Sequence, residues 1–273
     1  MSSLLKGTLV LVGCGKMGTA MLEGWLARGV DATKIAVMEP TPSPEITALL
    51  FHHQVKLNAS AVTIKDAEVV ILAVKPQMMM EVLPNLLPLL AAKPLVLSIA
   101  AGKTIATFEA AFGKATSVIR TMPNTPAAIG RGITAMVGNA NVTPAQMKLA
   151  EELLAATGEV VHVDNEAVID LVTAVSGSGP AYVFLLAETL AAAGEKAGLP
   201  KELAVRLARA TVAGSGELMR QSGVEAAILR QNVTSPNGTT YAALQVLMAN
   251  DGMQQLMNRA VEAAAQRSRE LSK

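Results

Sequence analysis

The sequence predicts an α/β domain with a doubly wound sheet over residues 1–164, followed by an all-α domain over 165–273. Three observations carry that division. Short apolar segments alternate with helical ones through the first half, which is the rhythm of strand–helix–strand units. The first apolar segment runs straight into a glycine-rich turn and a helix. From about Asn165 onward the strand signals stop and long Ala- and Leu-rich stretches take over, which suit helix.

Taken in order, strands are expected at 8–12, 34–38, 69–74, 95–99 and 117–121, all short and mostly apolar, as buried parallel strands are. Helices are expected between several of them, as at 17–28 and 77–90. A further strand pair, 133–138 and 159–162, flanks a helix at 144–156. In the second domain helices are expected at 167–175, 181–197, 201–221, 224–231, 240–250 and 252–271, with stops at Gly198-Leu199-Pro200 and Ser222-Gly223. Many of these are apolar around more of their circumference than a lone bundle needs. That predicts burial against another subunit, in a dimer or higher homo-oligomer.

Composition narrows the function classes. The formal net charge of +1 and aromatic content of 3% leave neither an electrostatic footprint nor a stacking platform for nucleic acid. A single cysteine, Cys14, excludes an intrachain disulfide and suits a reducing cytoplasm. The first apolar run leads into glycines rather than a signal-peptide cleavage site. The longest apolar region, 82–101, is broken by Pro84, Pro88, Lys93 and Pro94, so no membrane association is expected.

The opening segment Leu9-Val10-Leu11-Val12-Gly13-Cys14-Gly15-Lys16-Met17-Gly18 is a strand, a G-x-G-x-x-G loop and a helix start, and makes the first domain Rossmann-type. Gly13 permits the tight turn, Gly15 a close backbone approach to a pyrophosphate, and Gly18 close helix–sheet packing. Cys14, Lys16 and Met17 complete the loop. Glu39 ends the second strand where an acid meets the adenosine ribose; it favours the diol of NADH over the 2′-phosphate of NADPH, although Thr41 and Ser43 could donate to a phosphate. An exposed acid at a strand end is the bland alternative. Ala73-Val74-Lys75-Pro76 ends the strand at the expected switch point, so Lys75 faces either the cofactor or the substrate, or is simply solvated. Ser98 to Gly102, with Ala100 at its centre, is small enough for a nicotinamide ring to lie against the backbone.

The chemistry is constrained by what is missing. Reduction of a carbonyl usually wants a His or Lys acid. His52, His53 and His162 all read as surface residues, and no Cys/His metal cluster or nucleophile–base pair emerges. A protonated imine is already electrophilic, and its reduction leaves an amine, so a hydroxyl donor suffices. Such hydroxyls occur in the polar break Thr234-Ser235-Pro236-Asn237-Gly238-Thr239-Thr240. There a helix must stop and restart at Thr239 or Thr240, leaving unpaired N–H groups that favour an anion. An ordinary capped helix–helix turn would read the same way.

With these residues in place the chain resembles pyrroline-5-carboxylate reductase from end to end. The resemblance rests on the loop 13–18, on 73–77, on Arg120-Thr121-Met122-Pro123-Asn124-Thr125-Pro126, on Ser176-Gly177-Ser178-Gly179-Pro180-Ala181-Tyr182 and on 233–240. That family reduces 1-pyrroline-5-carboxylate to L-proline with NAD(P)H, the last step of proline biosynthesis, and pairs a Rossmann domain with a helical domain that interlocks with a second subunit. The resemblance implies that Ser235, Gly238 and Thr239 hold the substrate carboxylate and that Thr240 hydrogen-bonds the ring nitrogen. It also implies that Ala73, Val74, Lys75, Pro76 and Ala100 line the nicotinamide, with Asn232, Glu166 and 176–180 nearby. Close helix packing with serine caps also accounts for 176–180.

The chain departs from the family pattern at three places. Asn237-Gly238 stands where Gly-Gly is usual, and Asn tolerates the left-handed geometry the turn needs. Glu39-Pro40 stands where an Asn-Arg or similar phosphate-binding pair is common. For an adenosine-side asparagine, Asn58 or Ser60 is the nearest candidate. Among rivals, a β-hydroxyacid dehydrogenase would want a lysine on the helix opening the second domain, and 165–175 contains none. A non-catalytic nucleotide-sensing module would need the glycine loop but not the hydroxyl loop at 234–240.

Overall fold

The computed structural model describes residues 4–272. They form two compact units: one runs up to Gly177 and resumes at Ala264, and the other is Ser178–Ala263. The expected boundary at 164/165 divides the chain by type of secondary structure. By packing, the first helical turns beyond it and the end of the last helix belong with the sheet.

The first unit contains β1 (Thr8–Val12), α1 (Lys16–Ala27), β2 (Ile35–Met38), α2 (Pro44–His52), β3 (Lys56–Leu57), β4 (Ala67–Leu72), α3 (Met79–Leu86), β5 (Leu95–Ser98), α4 (Ile105–Phe112), β6 (Val118–Met122), β7 (Gly132–Gly138), α5 (Pro144–Leu154), β8 (Gly158–His162) and α6 (Val168–Val172). The strands form one eight-stranded sheet in the order β3-β2-β1-β4-β5-β6-β7-β8. Strand order reverses between β1 and β4, which opens a crevice at their carboxyl ends.

The sheet is not wholly parallel. β7 pairs antiparallel with β6 and parallel with β8, so the last two strands run against the other six. Only a short 3-10 turn, Thr125–Ile129, joins β6 to β7, and a parallel return would need a full crossover. Side chains of β1 alternate between two cores. Leu9 and Leu11 pack with Met21, Leu22, Trp25 and Leu153 on one face, and Val10 and Val12 with Met79, Leu83 and Phe108 on the other. The Trp25 ring N–H donates to the Leu153 carbonyl at 2.9 Å, tying α1 to α5.

Three elements, α2, β3 and α4, lie outside the sequence expectation. α2 forms where no pattern was evident, started by Ser43, whose hydroxyl accepts the Ile46 N–H, and by Pro44 in its first turn. β3 is a two-residue edge strand. The helix expected at 77–90 is split, with α3 flanked by 3-10 turns at Pro76–Met78 and Leu87–Ala92; Pro88 removes a backbone donor at the second break, while Pro84 is carried inside α3. The helix expected at 167–175 is α6 followed by a π-helical turn, Thr173–Gly177.

The second unit comprises α7 (Gly179–Lys196), α8 (Lys201–Ser222), α9 (Ala226–Asn232), α10 (Thr239–Leu247) and the start of α11 (Met253–Leu271), whose last turns belong to the first unit. α7 and α8 approach closely because the residues buried between them, Ala191, Ala204 and Ala208, are small. Phe184, Leu185, Leu207, Leu218, Val246 and Leu256 remain exposed in the isolated chain. The helical stretch Val168–Lys196 is long and apolar enough, by length and composition, to cross a membrane. It exceeds in this respect the proline-broken region at 82–101.

Candidate active site

The glycine loop joins β1 to α1 at the crevice. Gly13 donates its N–H to the Met38 carbonyl at 2.8 Å, and Ala73 donates to the Val12 carbonyl at 2.7 Å, so the ends of β1, β2 and β4 are locked together. Gly13 sits at φ +90°, where a Cβ would lie 2.8 Å from the backbone of Ala73. At Gly18 a Cβ would lie 2.5 Å from the Gly13 carbonyl oxygen, whereas at Gly15 it would meet nothing within 4 Å. The loop is therefore tight beneath and open at Gly15. α1 starts there without a side-chain cap and without an acid in its first turn. Free N–H groups at an open, glycine-lined helix start fit the pyrophosphate of a dinucleotide. Lys16 is exposed and Met17 half-buried at this start. The Cys14 side chain lies beneath; burial, opposed by a contact with Thr19 and reinforced by the Glu39 charge, pushes its thiol pKa up.

Glu39 lies one residue past β2 and turns its carboxylate onto the loop. Oε2 accepts the Cys14 N–H at 2.9 Å and Oε1 accepts the Thr41 N–H at 3.2 Å. Asn58 holds it there from just past β3: the Glu39 N–H donates to Asn58 Oδ1 at 2.8 Å, and Asn58 Nδ2 donates to the Glu39 carbonyl at 2.9 Å. Asn58 occupies φ +52°, which asparagine tolerates better than most residues. Its amide is thus committed to the backbone of the acid, a role that spacing did not reveal. The reciprocal pairing depends on a 19-residue separation that no local pattern encodes.

Ala73 and Val74 lie beyond the end of β4 in the crevice, Lys75 is exposed, and Pro76 opens a 3-10 turn. Across β5, the Ser98 hydroxyl accepts the Ala100 N–H at 3.2 Å, and the Ser98 carbonyl accepts the Thr121 hydroxyl at 3.0 Å. Ala100 is buried. Arg120, in the middle of β6, is only 1% exposed and donates through Nη1 to Glu166 Oε1 at 2.9 Å. Its Nη2 lies 3.6 Å from Asp170 Oδ1. Glu166 Oε1 also accepts the Ile105 N–H at 2.8 Å, and Asp170 Oδ1 accepts the Ser268 hydroxyl at 2.6 Å. The fold thereby brings the 120–126 motif to Glu166. It also brings Asn124 Nδ2 within 3.3 Å of the Ser176 hydroxyl in the π-helical turn. Ser176–Gly177 is therefore unwound helix rather than a simple serine cap. His162 is exposed beside Glu151 at 3.1 Å, a surface pair. Among the described residues no group of three or more His, Cys, Asp and Glu side chains is placed to hold a metal ion.

Asn232, Ser235, Gly238, Thr239 and Thr240 belong to the second unit, and Glu166 belongs to the first. α9 ends at Asn232, and the Thr234 hydroxyl donates to the Arg230 carbonyl at 2.6 Å. The Gly238 N–H then closes a turn on the Ser235 carbonyl at 3.1 Å. Asn237 takes φ +56°, the left-handed geometry expected of it. A Cβ on Gly238 would push the Ser235 hydroxyl from its present position. α10 restarts at Thr239 with no side-chain cap, leaving N–H groups of its first turn without an intrahelical partner.

The fold and the glycine loop define the class: a dinucleotide-binding Rossmann-type protein with a helical second unit. A model described as "NADP oxidoreductase coenzyme F420-dependent" matches residues 8–102, and one for pyrroline-5-carboxylate reductase dimerisation matches 166–271. The chain is 44% identical to a pyrroline-5-carboxylate reductase of Pseudomonas aeruginosa, over 97% of this chain and 96% of that one. The solved structure of a pyrroline-5-carboxylate reductase from Coxiella burnetii superposes with a TM-score of 0.91 at 36% identity, covering 98% of this chain and all of that one. The Plasmodium falciparum pyrroline carboxylate reductase, solved with NADP bound, gives 0.82 at 29% identity, over 98% and 99%. The chain belongs to the pyrroline-5-carboxylate reductase family.

Proposed function

We propose that the chain transfers a hydride to the C=N carbon of 1-pyrroline-5-carboxylate, giving L-proline, the last step of proline biosynthesis, in the cytoplasm. The observation that carries the reading is the break at 234–240. There a left-handed Asn237 and an uncapped α10 expose backbone N–H groups beside the hydroxyls of Ser235, Thr239 and Thr240. A small carboxylate suits those N–H groups. Ser235, Gly238 and Thr239 seat it, and the Thr240 hydroxyl hydrogen-bonds the ring nitrogen.

The dihydronicotinamide, when bound, supplies the hydride. Gly13, Gly15 and Gly18 with Cys14, Lys16 and Met17 seat the pyrophosphate at the start of α1. Ala73, Val74, Lys75, Pro76 and Ala100 wall the nicotinamide, and Asn232 is a further cofactor contact. As the imine carbon gains the hydride, its C=N electron pair falls on a nitrogen that is already protonated, so no strong acid is required. Thr240 orients that nitrogen and stabilises the amine that forms. Glu39 favours NADH, since its carboxylate accepts from a ribose diol and repels a 2′-phosphate.

The exposed apolar side chains of α7 and α8 are the surface we assign to a second copy of the chain. This includes the part of the apolar stretch Val168–Lys196 that forms α7, because Glu188 along it suits a protein interface better than lipid. The deciding experiment follows oxidation of NADH and of NADPH with pyrroline-5-carboxylate. Turnover with both is expected, with kcat/KM favouring NADH. Absence of substrate-dependent oxidation of either cofactor overturns the reading.

A further inference from the structure

We infer that Arg120 is a positioning residue for hydride transfer, acting through Glu166 on the turn 98–105. The inference rests on the reading above that this turn walls the nicotinamide. A buried ion pair is by itself poor support for a fold, since taking two charges out of water offsets most of their attraction. Arg120 is a marked case. Its Nε and Nη2 find no hydrogen-bond partner among the described residues, so a five-donor fork makes a single hydrogen bond. A side chain kept only for packing would be better replaced by an apolar one. Its placement is explained by where its partners' other bonds go.

Apart from the Ile99 N–H, which donates to the Leu72 carbonyl of β4 at 3.2 Å, three restraints on the turn trace to Arg120 or to the residue beside it. At one end, Thr121 donates to the Ser98 carbonyl at 3.0 Å from the same strand. At the other, Glu166 Oε1 takes the Ile105 N–H at 2.8 Å together with the Arg120 Nη1–H at 2.9 Å. In the middle, Gly102 abuts the last helix so closely that a Cβ there would lie 2.9 Å from Leu271 Cβ. That helix is fastened one turn earlier by Ser268, which donates to Asp170 Oδ1 at 2.6 Å, the carboxylate beside Arg120. The guanidinium therefore sets two carboxylates, one holding the start of α4 and the other holding the end of α11 against the turn. None of these bonds reaches Gly13, Gly15, Gly18 or Glu39. Loosening the clasp should displace the ring end of the cofactor and spare the grip on its adenosine half.

The test compares Arg120→Lys, Glu166→Ala and Glu166→Gln with the unaltered chain by steady-state kinetics, with protiated and 4-deuterated cofactor, normalised to folded protein. For Arg120→Lys and Glu166→Ala we expect kcat to fall on the order of ten- to a hundredfold, the scale of a small misplacement of reacting atoms. KM for cofactor and for pyrroline-5-carboxylate should stay within about twofold, and the deuterium isotope effect on kcat should rise. Glu166→Gln keeps an acceptor for Ile105 and should recover most of the loss. A raised KM for pyrroline-5-carboxylate at unchanged kcat would instead make Glu166 a substrate ligand and overturn the inference. A lowered melting temperature with unchanged kcat per folded site and unchanged isotope effect would reduce the clasp to scaffolding and overturn it as well. Should Arg120→Lys fail to fold, Glu166→Ala decides alone, because that carboxylate is 29% exposed at the edge of the pair. If the unaltered chain shows no turnover, the functional reading has failed and this inference with it. Turnover with indifferent variants sinks this inference alone.

Discussion

Thr240 and Glu39 carry the two sharpest chemical claims, and each can be separated from its neighbours by one substitution. Thr240 sits in the first turn of a helix whose N–H groups have no cap, so removing its hydroxyl leaves the carboxylate seat in place. Thr240→Ala should lower kcat by about a hundredfold, the scale of losing one donor that acts on the reacting atoms. Cofactor affinity, read by fluorescence titration, should stay nearly intact, and unchanged steady-state rates would remove the role. Glu39 is held by Asn58 and turned onto the Cys14 N–H, so its charge is fixed beside the glycine loop rather than free to swing away. Glu39→Ser should raise the ratio of kcat/KM for NADPH over NADH by about tenfold or more, which corresponds to roughly 1.4 kcal/mol. A constant ratio would mean the carboxylate does not meet the ribose.

Among the elements, α1 matters most, because its start is the phosphate seat proposed above and its far end must be held for that start to stay in place. Trp25, buried three turns along, does this by donating to the Leu153 carbonyl in α5. Trp25→Phe keeps most of the ring but loses the bond to the Leu153 carbonyl, which the Ala155 N–H still reaches, and should cost about 0.5–1.5 kcal/mol, read as a lower denaturation midpoint at unchanged slope. The elements also show what local pattern carries. α1 and α10 were legible, since a strand running into G-x-G-x-x-G and a Pro-Asn-Gly-Thr break each have one local solution. α2 had its start signal in Ser43-Pro44 but presents a single fully buried residue, Leu50, so its periodicity was too weak to notice. The direction of β7 was not legible either, because it depends on how the short turn at Thr125–Ile129 redirects the chain, not on the apolar content of the strand.

For the whole molecule, the exposed apolar surface of the second unit is the feature that most needs a partner. Phe184 on α7 is 67% exposed and Leu207 on α8 is 47% exposed, more than an isolated helical pair should leave in water. Phe184→Glu should shift the protein to smaller species in size-exclusion chromatography with light scattering and lower turnover in parallel. An unchanged assembly would place the interface elsewhere.

By itself the sequence determined the Rossmann-type class, the glycine loop, an acid at the end of the second strand and a helix restart at Thr239 or Thr240, which the structure puts at Thr239. The glycine loop and the restart are set by residues within one turn of one another, through glycine conformation and proline chemistry, and the class and the acid by the apolar period and spacing of the first two strands. Only the tertiary structure decided the Asn58 clamp on Glu39, the antiparallel end of the sheet and the meeting of Arg120 with Glu166, Asp170 and Ser268. The side-chain partners lie apart along the chain, from 19 residues between Glu39 and Asn58 to 98 between Asp170 and Ser268, and the strand direction turns on the geometry of one short connection. A side chain's partner across such a distance is chosen by how the elements between them pack, and that packing leaves no periodic trace in either residue's neighbourhood.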